Sequence, residues 1–433
     1  MVSPKLSPHY LKRRPSAIRQ AQITYSTRLD KDSIQVINLA IGNISLPMHP
    51  AMRKRLESII ENNTEFKNGV VQYTPTVGTK EARNAFINIL ESDGVNCVNL
   101  EVLITDGGSQ AMELMMLGVC GPSSKKPLML FDPSYTNYIE FAKRLSIPIV
   151  TLPRHLKESG EFSDLDMNSI NNVIKKNNPA ALVIIPADNP TGQFISQKDL
   201  NKIIKLCVEN NIWIVSDEAY RQLHYGENEP SSIWNVGEDT VNGVFGRRIS
   251  IESASKLWNA CGLRIGALIT DNIKLHQAAV SEYTANLSPN AIGQYIFGSL
   301  AHEEHKSLHK WYEKQRNYYG SIMTAFRQEL LKQLPGLIVS KPQSAIYMVI
   351  DFRNICPDNF NARDFVHFCA SKGKVDLNGK HYTLLISPMD EFYSNKLKQN
   401  KSQMRIAVVE PRNLLLIAPY ILKNLYKSFL GNK

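Results

Sequence analysis

Between about Met48 and Thr270 the chain changes pattern again and again. Short runs that are apolar throughout, LMLF, IPIVTL, ALVIIP, IWIVS and IGALIT, are separated by longer segments with apolar residues three and four apart. AMRKRLESII, TKEARNAFINIL, SYTNYIEFAKRL, DLDMNSINNVIKK and SQKDLNKIIKLCVENN are of this second kind, and several open on a polar residue suited to a helix start. A strand with no polar face must be covered on both sides. Strands of that sort alternating with helices predict a mostly parallel sheet between helical layers, an α/β fold.

The pattern then changes. A helical stretch runs from about Pro289 through AHEEHKSLHKWYEKQRNYYGSIMTAFRQELLKQL to Leu334 and is closed by Pro335 and Gly336. Beyond it, LIVSKPQSAIYMVIDF, TLLIS and QMRIAVV read as strands, with NARDFVHFCASKG and LLLIAPYILKNLYKSFL as helices of a smaller α+β domain. A chain of 433 residues has room for both bodies. The expected organisation is an N-terminal arm and part of the small domain over 1–47 and a large domain over 48–300. A linking helix and the rest of the small domain then fill 301–433, with the domain change inside the long helix.

Several function classes are disfavoured by composition. The six cysteines, at 97, 120, 207, 261, 356 and 369, form no CxxC and no short-spaced cluster. That argues against a metal centre or a disulfide scaffold, and it agrees with a reducing, cytoplasmic setting. The basic N-terminal segment has no apolar run behind it, and the apolar run near the end is broken by Pro419 and lysines, so no signal peptide or membrane span is expected. The net charge of +10 is spread among acidic residues without a nucleic-acid-binding signature. It implies a general preference for anionic ligands.

In an open parallel sheet, ligands bind beyond the carboxyl ends of the strands. Four segments reach that rim: ADNPTG after ALVIIP, bringing Asn189; DEAY after IWIVS, bringing Asp217 and Tyr220; SASKLWNACGLRIG, bringing Ser253, Ser255, Lys256 and Arg264; and TDGGSQ, where Gly107 and Gly108 turn a strand into a helix beginning with Ser109 and Gln110. A glycine turn at a helix start is suited to phosphate, because its N–H groups are unpaired and the helix dipole favours an anion. Singly, each signal has an ordinary reading. An aspartate after a strand can cap a helix, an asparagine before proline can make a turn, and Tyr220 can be core or rim.

Together these motifs resemble the fold-type I pyridoxal-phosphate enzymes, in particular the class I/II aminotransferases of the aspartate aminotransferase superfamily. The resemblance runs from INLAIGN to RIAVV and rests on NPTG, SDEAY and SASKLWNACGLRIG in that order. It implies a seven-stranded, mostly parallel sheet in the large domain and pyridoxal 5'-phosphate as cofactor. Lys256 is then the residue in Schiff-base linkage and the proton shuttle, a task that needs an uncharged amine. Asp217 faces the pyridine nitrogen and keeps it protonated, so that the ring can accept electrons. Asn189 and Tyr220 serve the ring hydroxyl oxygen, and Tyr135 in DPSYTNY stacks on the ring. The phosphate falls to Gly108, Ser109, Gln110, Ser253, Ser255 and Arg264, a set rich in N–H and O–H donors with one guanidinium. Tyr73 in VVQYTPTVG corresponds to a tyrosine that reaches the neighbouring subunit's phosphate, which implies a homodimer with shared active sites. Arg405 matches the arginine that grips the substrate α-carboxylate, with Gly42 and Asn189 beside it.

The resemblance implies an aminotransferase working between an L-amino acid and a 2-oxo acid, with glutamate and 2-oxoglutarate as one pair. A lyase or cyclase on the same cofactor, or a PLP-fold binding protein without turnover, is the alternative. The chain departs from the family in two places. It has Gly42-Asn43-Ile44 where Gly-x-Pro is usual, and LLISPMDEFYSNKLKQNKSQ before Arg405 where a proline-glycine turn is usual. Both lie where side-chain specificity is set.

Overall fold

The computed structural model describes residues 4–61, 64–394 and 401–431. Residues 395–400, in the unusual segment before Arg405, lie outside it. The chain forms two units: residues 43–325 with 340–348, and residues 1–42, 326–339 and 349–433.

The first unit is built on a seven-stranded sheet. Its strands are β1 (Glu101–Thr105), β2 (Leu128–Asp132), β3 (Ile149–Pro153), β4 (Ala181–Ile184), β5 (Trp213–Asp217), β6 (Arg248–Ser253) and β7 (Gly266–Thr270), in the order β1-β7-β6-β5-β4-β2-β3. Only β7 runs against its neighbours, pairing antiparallel with both β1 and β6. Every residue of β2, β4, β6 and β7 is buried; β2, β4 and β7 are almost wholly apolar, whereas β6 buries Arg248 and Glu252 by pairing them with Asp271 and Arg221. Each fully covered Ile, Val or Leu there contributes roughly 1.5–3 kcal/mol.

Helices α1 (Gly108–Val119), α2 (Thr136–Leu145), α3 (Met167–Asn177) and α4 (Gln197–Glu209) return the chain between strands. Asp166 and Ser196 cap α3 and α4 by accepting backbone N–H groups of Ser169 and Asp199, at 2.9 and 3.2 Å. The stretch expected as one helix from Pro289 to Leu334 is instead broken. A helix ends at Gly298, a short 3-10 turn covers Ser299–His302, and α5 (His305–Gln333) starts afresh. The cause is tertiary: the Asn88 amide donates to the carbonyls of both Leu300 and Glu303 at 2.8 Å, and His302 meets Glu81 at 2.6 Å. The Asn88 amide takes carbonyls that a continuous helix would use, and the His302–Glu81 contact fixes the turn.

The second unit holds two small sheets. Ile34–Asn38 pairs in parallel with Lys380–Leu385, which pairs antiparallel with Val375–Leu377. A four-stranded sheet carries Gln403–Ala407 between Ser387–Pro388 and Tyr347–Asp351, whose first two residues are counted with the first unit, and has Ile338–Val339 at its edge. Its core is aromatic, with Phe352, Phe360, Phe365 and Tyr426 in mutual contact at centroid distances of 4.8–6.1 Å.

Candidate active site

The carboxyl ends of β4, β5 and β6, the β1–α1 turn and the start of α2 surround one cavity of about 130 Å³ in the first unit. Ten of the residues singled out in the sequence line it: Gly108, Ser109, Tyr135, Asn189, Asp217, Tyr220, Ser253, Ser255, Lys256 and Arg264. Sheet register explains their spacing. Asp217 at the end of β5 pairs with Ile251 of β6, and Ser253 lies two residues further along the same strand. Residues two apart face one side of a sheet at a separation on the order of 7 Å, so carboxylate and hydroxyl sit side by side on one wall.

The β1–α1 turn closes onto that wall. Gly107 caps α1 with φ of +78°, and a side chain there would collide with the Arg264 guanidinium. Gly108 lies against Ile251 and Ser253, where a Cβ would stand 3.5 and 3.7 Å from their side chains. The start of α1, the Ser253 and Ser255 hydroxyls and the one guanidinium thus converge, and the Ser253 hydroxyl oxygen accepts the Ser255 N–H at 3.1 Å. Arg264 is held by donating to the carbonyls of Cys261 and Asp106, at 3.1 and 3.5 Å.

Asp217 is buried, and burial pushes its carboxyl up to about 6; the Ala219 N–H and the Tyr138 hydroxyl oppose this by donating to it at 3.2 and 2.9 Å. Asn189 donates to the Tyr220 hydroxyl at 3.2 Å. Its loop is pinned by the buried Arg154–Asp188 pair at 2.9 Å and by the Thr191 hydroxyl, which also donates to Asp188. Lys256 Nζ stands 3.8 Å from Cys261 Sγ. Beneath the wall, Arg221 clamps Glu252 through two hydrogen bonds of 2.6 and 3.2 Å.

Four expected residues lie elsewhere. The Gln110 side chain turns back to accept the Asp106 N–H at 3.0 Å and does not line the cavity. Tyr73 is 80% exposed. Gly42 and Arg405 belong to the second unit, where Arg405 is buried, donates to the Ala40 carbonyl at 2.5 Å and lies 4.9 Å over the Phe392 ring. Sequence reasoning missed the apolar walls, Met112, Ile185, Ala219 and Ile251. It also missed Tyr138 on α2, whose hydroxyl donates to Asp217 and whose place in an amphipathic helix reads simply as core.

A helix start, a buried carboxylate and a lysine line one cavity, an arrangement that fits a phosphorylated pyridine. The profile of class I and II aminotransferases matches residues 34–408. The chain belongs to that family: it is an aminotransferase, and its cofactor is pyridoxal 5'-phosphate. Aspartate aminotransferase from Sulfolobus acidocaldarius is 26% identical over 359 residues, covering 81% of this chain and 83% of its own length. Aspartate/prephenate aminotransferase from Thermus thermophilus is 27% identical over 306 residues, 68% of this chain and 73% of its own. The structure of N-succinyldiaminopimelate aminotransferase from Mycobacterium tuberculosis superposes with a TM-score of 0.80 at 20% identity, over 97% of this chain and 100% of that one. At that identity the likeness speaks for the fold. No helix among the described residues is long and apolar enough to cross a membrane.

Proposed function

We propose that the enzyme transfers the amino group of an L-amino acid to a 2-oxo acid in two half-reactions, with glutamate and 2-oxoglutarate as one pair. The observation that carries this reading is the meeting of Lys256 and Asp217 in one cavity with the α1 start and Arg264. Bound pyridoxal phosphate supplies a carbonyl carbon for the amino group and a ring that takes up the electrons of the substrate Cα–H bond.

The protein's residues do the rest. Lys256 tethers the cofactor, is displaced by the substrate amine, and its freed Nζ removes the Cα proton and returns it. Asp217, as a carboxylate, holds a proton on the ring nitrogen. Tyr220 and Asn189 donate hydrogen bonds to the ring oxygen, and Tyr135 covers the ring face. Gly108, Ser109, Gln110, Ser253, Ser255 and Arg264 take the phosphate, with Gln110 acting through its backbone N–H and the turn it ties back. Arg405 takes the substrate α-carboxylate by a two-pronged guanidinium contact, and Gly42 and Asn189 also serve the substrate. Tyr73 reaches the phosphate of a second copy in a homodimer. The exposure of Val70, Val71 and Tyr73, at 52, 55 and 80%, supports a partner over that segment. Six unbridged thiols support a cytoplasmic setting.

The test is a single-turnover screen of the amino acids against holoenzyme, following cofactor absorbance and released product. Conversion of the aldehyde form to the amine form with one equivalent of 2-oxo acid is expected. An unchanged spectrum with ammonia released, or with a rearranged carbon skeleton, points to a lyase or cyclase. Binding with no product points to a protein without turnover.

Tyr138 offers a further check. Its hydroxyl is one of two donors to a buried carboxylate, and a hydrogen bond to a charged group is worth about 1.5–3 kcal/mol. In the cofactor-free protein Tyr138→Phe is expected to raise the pH at which Asp217 loses its proton by about one to two units, read from the pH dependence of unfolding.

A further inference from the structure

We propose that Tyr347 is a positioning residue for this reaction: its hydroxyl stands behind the cavity wall, holds the Tyr220 hydroxyl, and through it sets how tightly a proton is kept at the Lys256–cofactor linkage. The inference rests on the reading that Tyr220 serves the cofactor ring oxygen.

Tyr220 donates its hydroxyl hydrogen to the Tyr347 hydroxyl at 3.0 Å, while accepting from the Asn189 amide at 3.2 Å. Both tyrosines are buried, and their rings meet edge to face at 5.6 Å and 78°. A phenol has one hydrogen and two acceptor positions. When Tyr220 turns its hydrogen into the cavity toward an anionic ring oxygen, an acceptor position is opened toward Tyr347. The Tyr347 hydrogen fills it. The chain then reads Tyr347 to Tyr220 to ring oxygen, and each donor polarises the next. A stronger donor on the ring oxygen stabilises the form in which the linkage nitrogen has lost its proton, so that proton leaves at lower pH.

The placement of Tyr347 is enforced by a strap. Residues 340–348 come from beyond α5, yet belong to the first unit. The N–H groups of Gln343 and Ser344 donate to the Gly192 carbonyl at 3.0 and 2.9 Å, and the Ala345 N–H donates to the Leu223 carbonyl at 2.8 Å. The strap is thus stitched both to the loop of Asn189 and to the turn of Tyr220. At Gly192, with φ of +71°, a side chain would run into the Tyr347 carbonyl oxygen, so the approach is close enough to demand glycine. A tyrosine that served only to fill space would need no such registration against the two residues whose polar groups it joins.

The test is a pH titration of bound-cofactor absorbance in the wild-type holoenzyme, Tyr347→Phe, Tyr220→Phe and the double variant, with thermal unfolding followed alongside. The Phe ring fills the same space, so each variant is expected to fold. Tyr220→Phe is expected to raise the midpoint by about one pH unit or more, and Tyr347→Phe by about 0.4–1 unit, the size of one neutral hydrogen bond. Adding Tyr347→Phe to Tyr220→Phe is expected to change nothing more. A midpoint that moves in Tyr220→Phe but not in Tyr347→Phe overturns the inference and leaves the reading of Tyr220 standing. An equal Tyr347 effect with and without the Tyr220 hydroxyl also overturns it, since the residue then acts by another route. A midpoint unmoved by Tyr220→Phe overturns the reading of Tyr220 itself.

Discussion

Lys256→Ala is expected to lower turnover by at least about 10⁴-fold and to remove the lysine-linked absorbance band. Two tasks fail together. Without the amine there is no covalent tether, and no base stands over the substrate Cα. Gly108, Ser109, Ser253, Ser255 and Arg264 line the same cavity without the lysine, so under the proposal that they take the phosphate the variant should still bind the cofactor. Single-turnover absorbance and dialysis separate the two effects. Turnover in Lys256→Ala within tenfold of wild type would reject the assignment of the lysine.

Asp217→Asn is expected to show opposite effects on activity and stability. As an amide the residue cannot hold a proton on the ring nitrogen, and a loss of about 10²–10⁴-fold in turnover should follow. The cofactor-free protein should become more stable. The folded-state value of Asp217, about 6, lies above that of an unfolded aspartate, so its contribution is present at low pH and is lost as pH rises through about 6. Above that point the wild-type chain keeps a buried charge whose cost is on the order of 3 kcal/mol. The unfolding free energy of Asp217→Asn, measured without cofactor, should therefore exceed that of wild type by up to this amount at pH 8 and converge with it near pH 4. A difference independent of pH would show that the carboxylate is not the source.

The parts of the site that could be read in the sequence are those that follow directly from a buried strand. Covering a sheet on both faces forces apolar runs, and in ALVIIPADN and IWIVSDEAY the polar residues that end those runs, Asn189 and Asp217, are among those lining the cavity. The α1 start was legible because a glycine turn before a helical pattern has few other uses. Tyr138 was hidden because a tyrosine within an amphipathic helix reads as core, and periodicity does not say that its hydroxyl meets a carboxylate from β5. The break before α5 was hidden for a related reason: HEEHK favours helix locally, and the Asn88 amide that competes for Leu300 and Glu303 lies more than 200 residues earlier. Tyr347 sits in an apolar run that reads as a plain strand, and its partnership with Tyr220 spans 127 positions. Such pairings leave no trace in local pattern.

The strap at 340–348 also bears on how the enzyme is made. During synthesis the polypeptide up to Ala325 leaves the ribosome first, but the Gly192 and Leu223 carbonyls have no strap to meet until the next two dozen residues have emerged. The unit that carries the cavity in a nascent molecule therefore stays unfinished until about four-fifths of the message has been translated, and a product cut short after α5 would carry Lys256 and Asp217 in a chamber lacking its back support.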